Sequence, residues 1–295
     1  MSVRSDFVVF ILTHNRPDRV LTYGELRRSG YTGPIRLVID DEDPARDAYL
    51  ASFGAEVVTF SRSTVAKTVD GGDNTGTRGV VYARNACFAL AVQLGFRYFV
   101  QLDDDYTSFF YRWASAGIYG QWRVRKTMDD CMMALLDFFE TSPRSMLSVA
   151  MSQGGDHIGG GGGNRDIRTT RKAMNSFFCS TDRPFRFMGR INEDVNAYVL
   201  HSRTGHVFLT IESIQLNQLM TQSNPGGLTE LYLDAGTYVK SFYSVMCAPS
   251  SVRIAELSDP RSPHRRIHHV IDWSRTAPRI LREEHRQPLR DDATR

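Results

Sequence analysis

Gly95-Phe96-Arg97-Tyr98-Phe99-Val100-Gln101-Leu102-Asp103-Asp104-Asp105-Tyr106 decides how this chain is read. Residues 98–102 are a short apolar and aromatic run with the composition of a buried strand, and the run stops at three consecutive carboxylates. Adjacent like charges repel one another, and a shared cation relieves the repulsion. In an open α/β sheet, ligands sit beyond the carboxyl ends of the strands. Asp103 and Asp105, two positions apart, are therefore candidate ligands for one hard divalent ion carrying phosphate oxygens. A solvated acidic turn is the competing reading, and the flanking sequence weighs between them.

Upstream, Phe7-Val8-Val9-Phe10-Ile11-Leu12 is apolar throughout, as a parallel strand buried on both faces should be. It runs into Thr13-His14-Asn15-Arg16-Pro17, where Pro17 is placed to open a helix over 17–29 that stops near Gly30. A second strand over 35–39 ends in Asp40 and Asp41, followed by a helix over 43–53 and a third strand over 56–60. This alternation with short connections predicts a doubly wound, Rossmann-like half. The polar stretch 61–79 holds Asp70-Gly71-Gly72-Asp73-Asn74-Thr75-Gly76, lacks a phosphate-loop consensus and reads as a mobile loop. Residues 80–94 have helical spacing, with Ala83, Cys87, Leu90, Ala91 and Leu94 on one side and Arg84 and Asn85 near the start.

Downstream, 111–121 reads as an aromatic loop, 125–139 as an amphipathic helix and 146–151 as a strand. Five glycines at 159–163 cannot hold one structure cheaply and predict a flexible flap or linker. The most basic stretch follows, with Arg165, Arg168, Arg171, Lys172, Arg183, Arg186 and Arg190 interleaved with Phe177, Phe178, Phe185 and Phe187. Asn192-Glu193-Asp194 places two carboxylates at the start of a helix running to about residue 204, for which dipole complementarity and catalysis are rival reasons. Residues 207–211 and 214–216 read as strands of a hairpin, and a last helix begins over 228–240 and extends through Phe242 and Val245. Beyond residue 250 the chain turns Arg- and Pro-rich. Residues 267–273 keep strand character, and the end past Pro288 reads as disordered.

A chain of 295 residues allows one large domain or a domain with a small appendage. With 41% hydrophobic and 23% charged residues it is ordinary for a globular enzyme, which argues against global disorder. A net charge of +3 means that affinity for a polyanion must come from local patches. The four cysteines show no metal-ligand spacing and read as reduced thiols. The apolar run at 7–12 is too short for a signal peptide and no window suits a membrane span, so a cytoplasmic protein without membrane contact is expected.

Gly79-x-x-x-Ala83-Arg84-Asn85, followed by a strand ending in Asp103-Asp104-Asp105, closely resembles the core of GT-A fold glycosyltransferases with their Asp-x-Asp (DXD) motif. Asn192-Glu193-Asp194 resembles the downstream acidic motif that supplies the base in inverting members. The resemblance implies an α/β fold with a mixed, mostly parallel sheet flanked by helices. The resemblance covers about residues 8–240, and the domain division expected with it is a glycosyltransferase domain over 1–250 (1–105 as nucleotide-sugar half, 106–250 as acceptor half) with 251–295 as a basic, partly disordered extension. Phe7 to Pro17, Gln101 to Tyr106, and the Gly-rich segment with its acidic motif are most similar to the phage and bacterial TET-associated glycosyltransferases. That implies transfer of a hexose from a UDP-sugar to 5-hydroxymethylcytosine or a related hydroxymethylpyrimidine in DNA, inverting, and in the host cytoplasm where the gene is a phage's.

Carried over residue by residue, the resemblance implies that Asp103 and Asp105 bind Mn²⁺ or Mg²⁺ with the donor diphosphate, and that Asp104 touches the ribose or sugar. Thr13, Asn15, Arg16 and Asp40 would contact the nucleotide, and Arg84 would pair with the diphosphate or orient the aspartates. Asp194 would be the base, with Glu193 as alternate, and His264, His268 or His269 would add a metal ligand. Arg165, Arg168, Arg171, Lys172 and the Arg-rich tail would grip DNA phosphates. Tyr106, Phe110, Tyr111 or Trp113 would stack on the extruded base, although core packing is the plainer reading of each. The other readings are a GT-A enzyme acting on a glycan, lipid or small molecule, a non-catalytic nucleic-acid-binding module on a decayed transferase fold, and a nucleotidyltransferase.

Overall fold

The six buried residues of β1 (Phe7–Leu12) divide their side chains between two cores. Phe7, Val9 and Ile11 face one side of a sheet and Val8, Phe10 and Leu12 the other, the period-2 alternation of an extended chain. The computed structural model describes residues 2–69, 79–115, 118–154, 167–168, 175–219, 239, 241–257 and 266–276. The expectations for the glycine-rich stretch at 70–76, the five glycines, Arg165, Arg171, Lys172, His264, nearly all of the 228–240 helix and the end of the chain lie outside these residues, as does the side chain of Arg168.

β1 pairs in parallel with β2 (Ile35–Asp40) and β4 (Tyr98–Asp103), and β3 (Val57–Phe60) extends β2. Beyond β4 come β9 (Ser176–Ser180), β7 (Met146–Gln153), β10 (Val207–Gln218), β5 (Tyr106–Ser115) and β6 (Ile118–Arg123), while β8 (Ile167–Arg168) pairs with β10 outside that path. Only β5, β8 and β9 of the ten strands run against the common direction. The sheet is thus mixed, with one dominant direction. On its first face lie α1 (Leu21–Arg28), α2 (Arg46–Phe53) and α5 (Met128–Thr141), which bury Leu26, Tyr49, Met132, Leu136 and Phe139. On the second lie α4 (Val80–Gln93) and α6 (Glu193–Ser202), which bury Val81, Cys87, Leu90, Val195 and Val199. A five-residue helix, α3 (Arg62–Ala66), precedes α4.

Four expectations are corrected. Residues 111–115 and 118–121 are no loop but belong to the paired strands β5 and β6, whose aromatics lie across Tyr111↔Trp122 and Trp113↔Gly120. β9 was hidden in the basic segment. Its five residues are all buried, and Phe177 and Phe178 enter opposite cores. Residues 207–216 are one strand rather than a hairpin, with a register shift against β7 between Ile211 and Gln215 that admits the extra residues. The expected 17–29 helix is split, because Val20 at ψ 70° separates a 3₁₀ turn, Pro17–Arg19, from α1.

Residues assigned by sequence to the C-terminal extension also pack. β11 (Val252–Leu257) and β12 (Arg266–Ile271) form a separate antiparallel pair, with Val252 and Ile271 buried in the second core. Trp273 stacks on Tyr198 of α6 at 5.9 Å. Gly30 closes α1 with φ +92°, where a Cβ would stand 2.4 Å from the Lys126 Cα. Only glycine allows that crossing, which the Met128 N–H bond to the Ser29 carbonyl holds at 3.1 Å.

Candidate active site

Alternation along β4 sends Phe99 and Asp103 to the second face and Leu102 to the first, so Asp103 projects towards α4 and α6. There it meets Arg84, which is 1% exposed and carried on the first turns of α4. Arg84 Nη2 donates to Asp103 Oδ1 at 3.0 Å and Nε to Glu193 Oε1 at 2.9 Å. Its guanidinium lies over the rings of Phe177 and Phe187, with centroids 5.1 and 5.6 Å away. Gln101 Nε2 holds the Arg84 carbonyl at 2.9 Å. One buried cation thus ties the end of β4 to the start of α6.

The same contact separates the two candidate bases. Glu193 is buried and committed to Arg84, and burial with the neighbouring Asp194 charge pushes its pKa up. Asp194 is half-buried, and its oxygen accepts the Val195 N–H at 2.8 Å. The turn before them is pinned. Gly189, at φ +79°, leaves no room for a Cβ beside Tyr243 and Asn196, Asn196 Nδ2 donates to the carbonyls of Met188 and Ile191, and Asn192 Nδ2 donates to Ser244 Oγ.

Asp104 is turned inward. Its Oδ2 accepts from Thr13 Oγ1 at 2.6 Å and Arg16 Nε at 2.7 Å, and the Tyr49 hydroxyl bonds both Thr13 Oγ1 and the Arg16 N–H. At 1% exposure Asp104 anchors the loop after β1; the contact with ribose or sugar expected of it is not available to a group so enclosed. Thr22 bonds the Asp103 carbonyl and receives the Tyr106 N–H, closing the turn of acids from below. Tyr106 is a further correction. It is wholly buried, packs edge-on against Phe109, accepts the Asp103 N–H and donates to the Asn175 carbonyl, so it braces the strand end and offers no face to a base.

Desolvation raises the pKa values of Asp103 and Asp104 despite Arg84 and Arg16. Asp105 is pushed up to about 7 by burial and by the charges of Asp103 and Asp104. Oδ1 of Asp104 and Oδ1 of Asp105 are buried without a hydrogen-bond partner. A crowded carboxylate set short of positive charge, with an orphaned oxygen on Asp105, fits a hard divalent ion.

Across the strand ends, His14 Nδ1 lies 3.1 Å from Asp40 and 3.2 Å from Asp43, and their hydrogen bonds raise its pKa to about 9. Asn15 adopts φ 54° and its N–H reaches Asp43 at 3.0 Å. Thr13, Asn15, Arg16 and Asp40 therefore come together at one edge of the acid cluster. Sequence reasoning missed His14, Asp43 and Tyr49 here. The run Thr13 to Arg16 did flag the loop, whereas Tyr49 inside a helix carried no signal. Of the histidines expected as ligands, His268 and the buried His269 sit on β12 with stacked rings. Phe177, Phe178, Phe185 and Phe187 are core residues rather than surface aromatics.

The structure thus has a doubly wound half, an acid cluster closing β4 and a second acidic pair at the start of α6. The sequence profile of the TET-associated glycosyltransferases matches residues 7–227, and the chain belongs to that family. No curated protein matches by sequence. Among solved structures, the chain is similar to the mannosyltransferase PcManGT of Pyrobaculum calidifontis with GDP-Man and Mn²⁺ (11% identity, 74% of this chain and 58% of that one, TM-score 0.45). It is also similar to S. aureus TarS 1–349 with UDP-GlcNAc (10% identity, 77% and 64%, TM-score 0.43). A putative nucleotide-diphospho-sugar transferase of Desulfovibrio desulfuricans G20 gives 8% identity, 83% and 95%, and TM-score 0.41. The chain spans less than two thirds of the length of the first two.

Proposed function

We propose that this protein transfers a hexose from a UDP-sugar to the hydroxyl of 5-hydroxymethylcytosine, or a related hydroxymethylpyrimidine, in DNA. The observation that carries the reading is the Arg84 bridge, which holds Asp103 and the Asp194 turn on either side of one buried guanidinium. Family membership supports the transferase class, and the acceptor is the one that the sequence resemblance implies. Asp103 and Asp105 would hold Mn²⁺ or Mg²⁺, a Lewis acid towards the departing diphosphate. Asp40 with Thr13, Asn15 and Arg16 binds the nucleotide, the loop being held in place by Asp104. Asp194, the less enclosed of the two acids on α6, accepts the proton of the attacking hydroxyl, and inversion follows from a base on that side. Glu193 keeps Arg84 in place. A histidine of the C-terminal segment (His264, His268 or His269) is the proposed source of an additional metal ligand, and Arg165, Arg168, Arg171 and Lys172 of the phosphate grip.

Incubation with hydroxymethylcytosine DNA, each UDP-sugar in turn and Mn²⁺, read by nucleoside mass spectrometry, tests the proposal. One added hexose on the modified nucleoside is the expected result. Transfer to a saccharide, lipid or metabolite with none to DNA refutes the acceptor.

A further inference from the structure

The β5–β6 hairpin leaves the acid cluster directly, since Tyr106 follows Asp105. From Tyr106 to Met128 the chain has no carboxylate, while it carries Arg112, Arg123, Arg125 and Lys126. Two tryptophans stand open on it, Trp113 at 43% and Trp122 at 67% exposure. The pairings Tyr111↔Trp122 and Trp113↔Gly120 put both indoles on one face as diagonal neighbours, about 7 Å apart. Trp113 lies across Gly120, where a Cβ would meet the ring at 2.5 Å. β6 is the edge of the sheet, so no further strand covers this ribbon among the described residues.

The acids packed nearby do not offset the charge. Glu25 has a side chain only 1% exposed and is engaged by Arg28 and Arg123, and Asp129 is bonded to the Thr32 N–H and hydroxyl. Arg125 and Lys126 point to solvent. Open indoles beside cations, on a ribbon that itself carries no carboxylate, match the chemistry of a polyanion that carries flat, stackable rings.

We propose that this ribbon docks the nucleic-acid strand flanking the reacting base, with bases stacked on Trp113 and Trp122 and phosphates against Arg125 and Lys126. The proposal rests on DNA being the acceptor and adds where the flank lies. Trp113 is eight residues past Asp105, about 26 Å of extended chain, so the stacked bases lie roughly eight nucleotides from the target. Neither tryptophan belongs to the donor site.

The test compares wild type with Trp113→Ala/Trp122→Ala and with Trp122→Ala alone, a surface change that the fold tolerates. Fluorescence anisotropy with a labelled single-stranded oligonucleotide carrying one hydroxymethylcytosine gives affinity, and transfer kinetics give KM and kcat. Losing a stacked base weakens binding and raises KM by about 5- to 100-fold in the double variant, with kcat and UDP binding unchanged. Cutting the flank to fewer than about eight nucleotides removes the difference between variant and wild type. If wild type modifies the DNA and both variants match it in affinity and KM, the ribbon is not the docking surface although the acceptor stands. If wild type transfers only to a saccharide, the acceptor and this occupant fall together. A change of molar mass by light scattering in Trp122→Ala would assign the ribbon to a second copy of the chain and overturn the proposal.

Discussion

Replacing Arg84 by methionine removes a cation that is 1% exposed and leaves a side chain of comparable length against Phe177 and Phe187. Two charge-assisted hydrogen bonds disappear, at 2.9 Å to Glu193 and 3.0 Å to Asp103. The partners do not suffer equally. Asp103 keeps 27% of its side-chain surface and can regain water, whereas Glu193 at 7% cannot. Breaking a buried pair by removing one partner costs about 3–5 kcal/mol, and nearly all of it falls on Glu193. The loss depends on pH. Glu193 already has a raised pKa in the folded protein, so the folded state holds its proton where the unfolded chain has lost it, and its contribution to stability falls as pH climbs above the ordinary carboxylate range. Without Arg84 that fall steepens, because the guanidinium is the main group opposing it. Guanidinium chloride unfolding followed by tryptophan fluorescence should show a loss of about 3–5 kcal/mol at pH 8 and a clearly smaller one near pH 5.5, where Glu193 is neutral. Donor turnover should fall as well, since Asp103 loses its orienting contact. A defect of under about 1 kcal/mol, or one equal at both pH values, would show that the bridge does not exist in solution.

Asp194→Asn should lower kcat by about 10²–10⁴ with unfolding midpoint and UDP affinity unchanged, whereas Glu193→Gln should act mainly on stability; the reverse pattern would exchange the roles of the two acids. Asp103→Asn with Asp105→Asn should abolish transfer and Mn²⁺ binding by calorimetry, and retained turnover would remove the metal from the proposal. His14 has a folded pKa near 9 against an ordinary value near 6.5, so its pairs with Asp40 and Asp43 add stability that is whole below pH 6.5 and lost as pH rises through 9. His14→Gln should flatten the stability profile across that window by under about 1 kcal/mol, because the imidazole is partly exposed and screened. Gly30→Ala should lower the melting temperature by several degrees, the 2.4 Å approach to Lys126 being backbone that cannot step aside, and an unchanged melting curve would refute that contact.

Much of the first half of the fold was legible because its signals are local. The apolar run 7–12, the acid-ended strand at 98–103 and the helical spacing of 80–94 each carry their signal within a few residues, and each formed the expected element. The second half was not. β9 is too short for a pattern and is flanked by charges, and the β5–β6 hairpin holds two glycines and polar residues in an alternation that matters only once β10 lies alongside. Among the site residues, the acids were readable from their crowding, whereas nothing near Tyr49 or Phe187 announces a partner far along the chain.

By itself the amino-acid order determined the doubly wound half, the place of the acids at a strand end and the family to which they belong. Which acid is buried and which lies open was decided only by tertiary structure. Asp104 turns under the β1 loop, Glu193 is spent on Arg84, and Tyr106 is closed into the core. The physical reason is range. Strand and helix periods are set by neighbours within a few residues, but the field at a carboxylate is set by whatever folds against it, here an arginine nineteen residues before Asp103 and a glutamate 109 beyond that arginine.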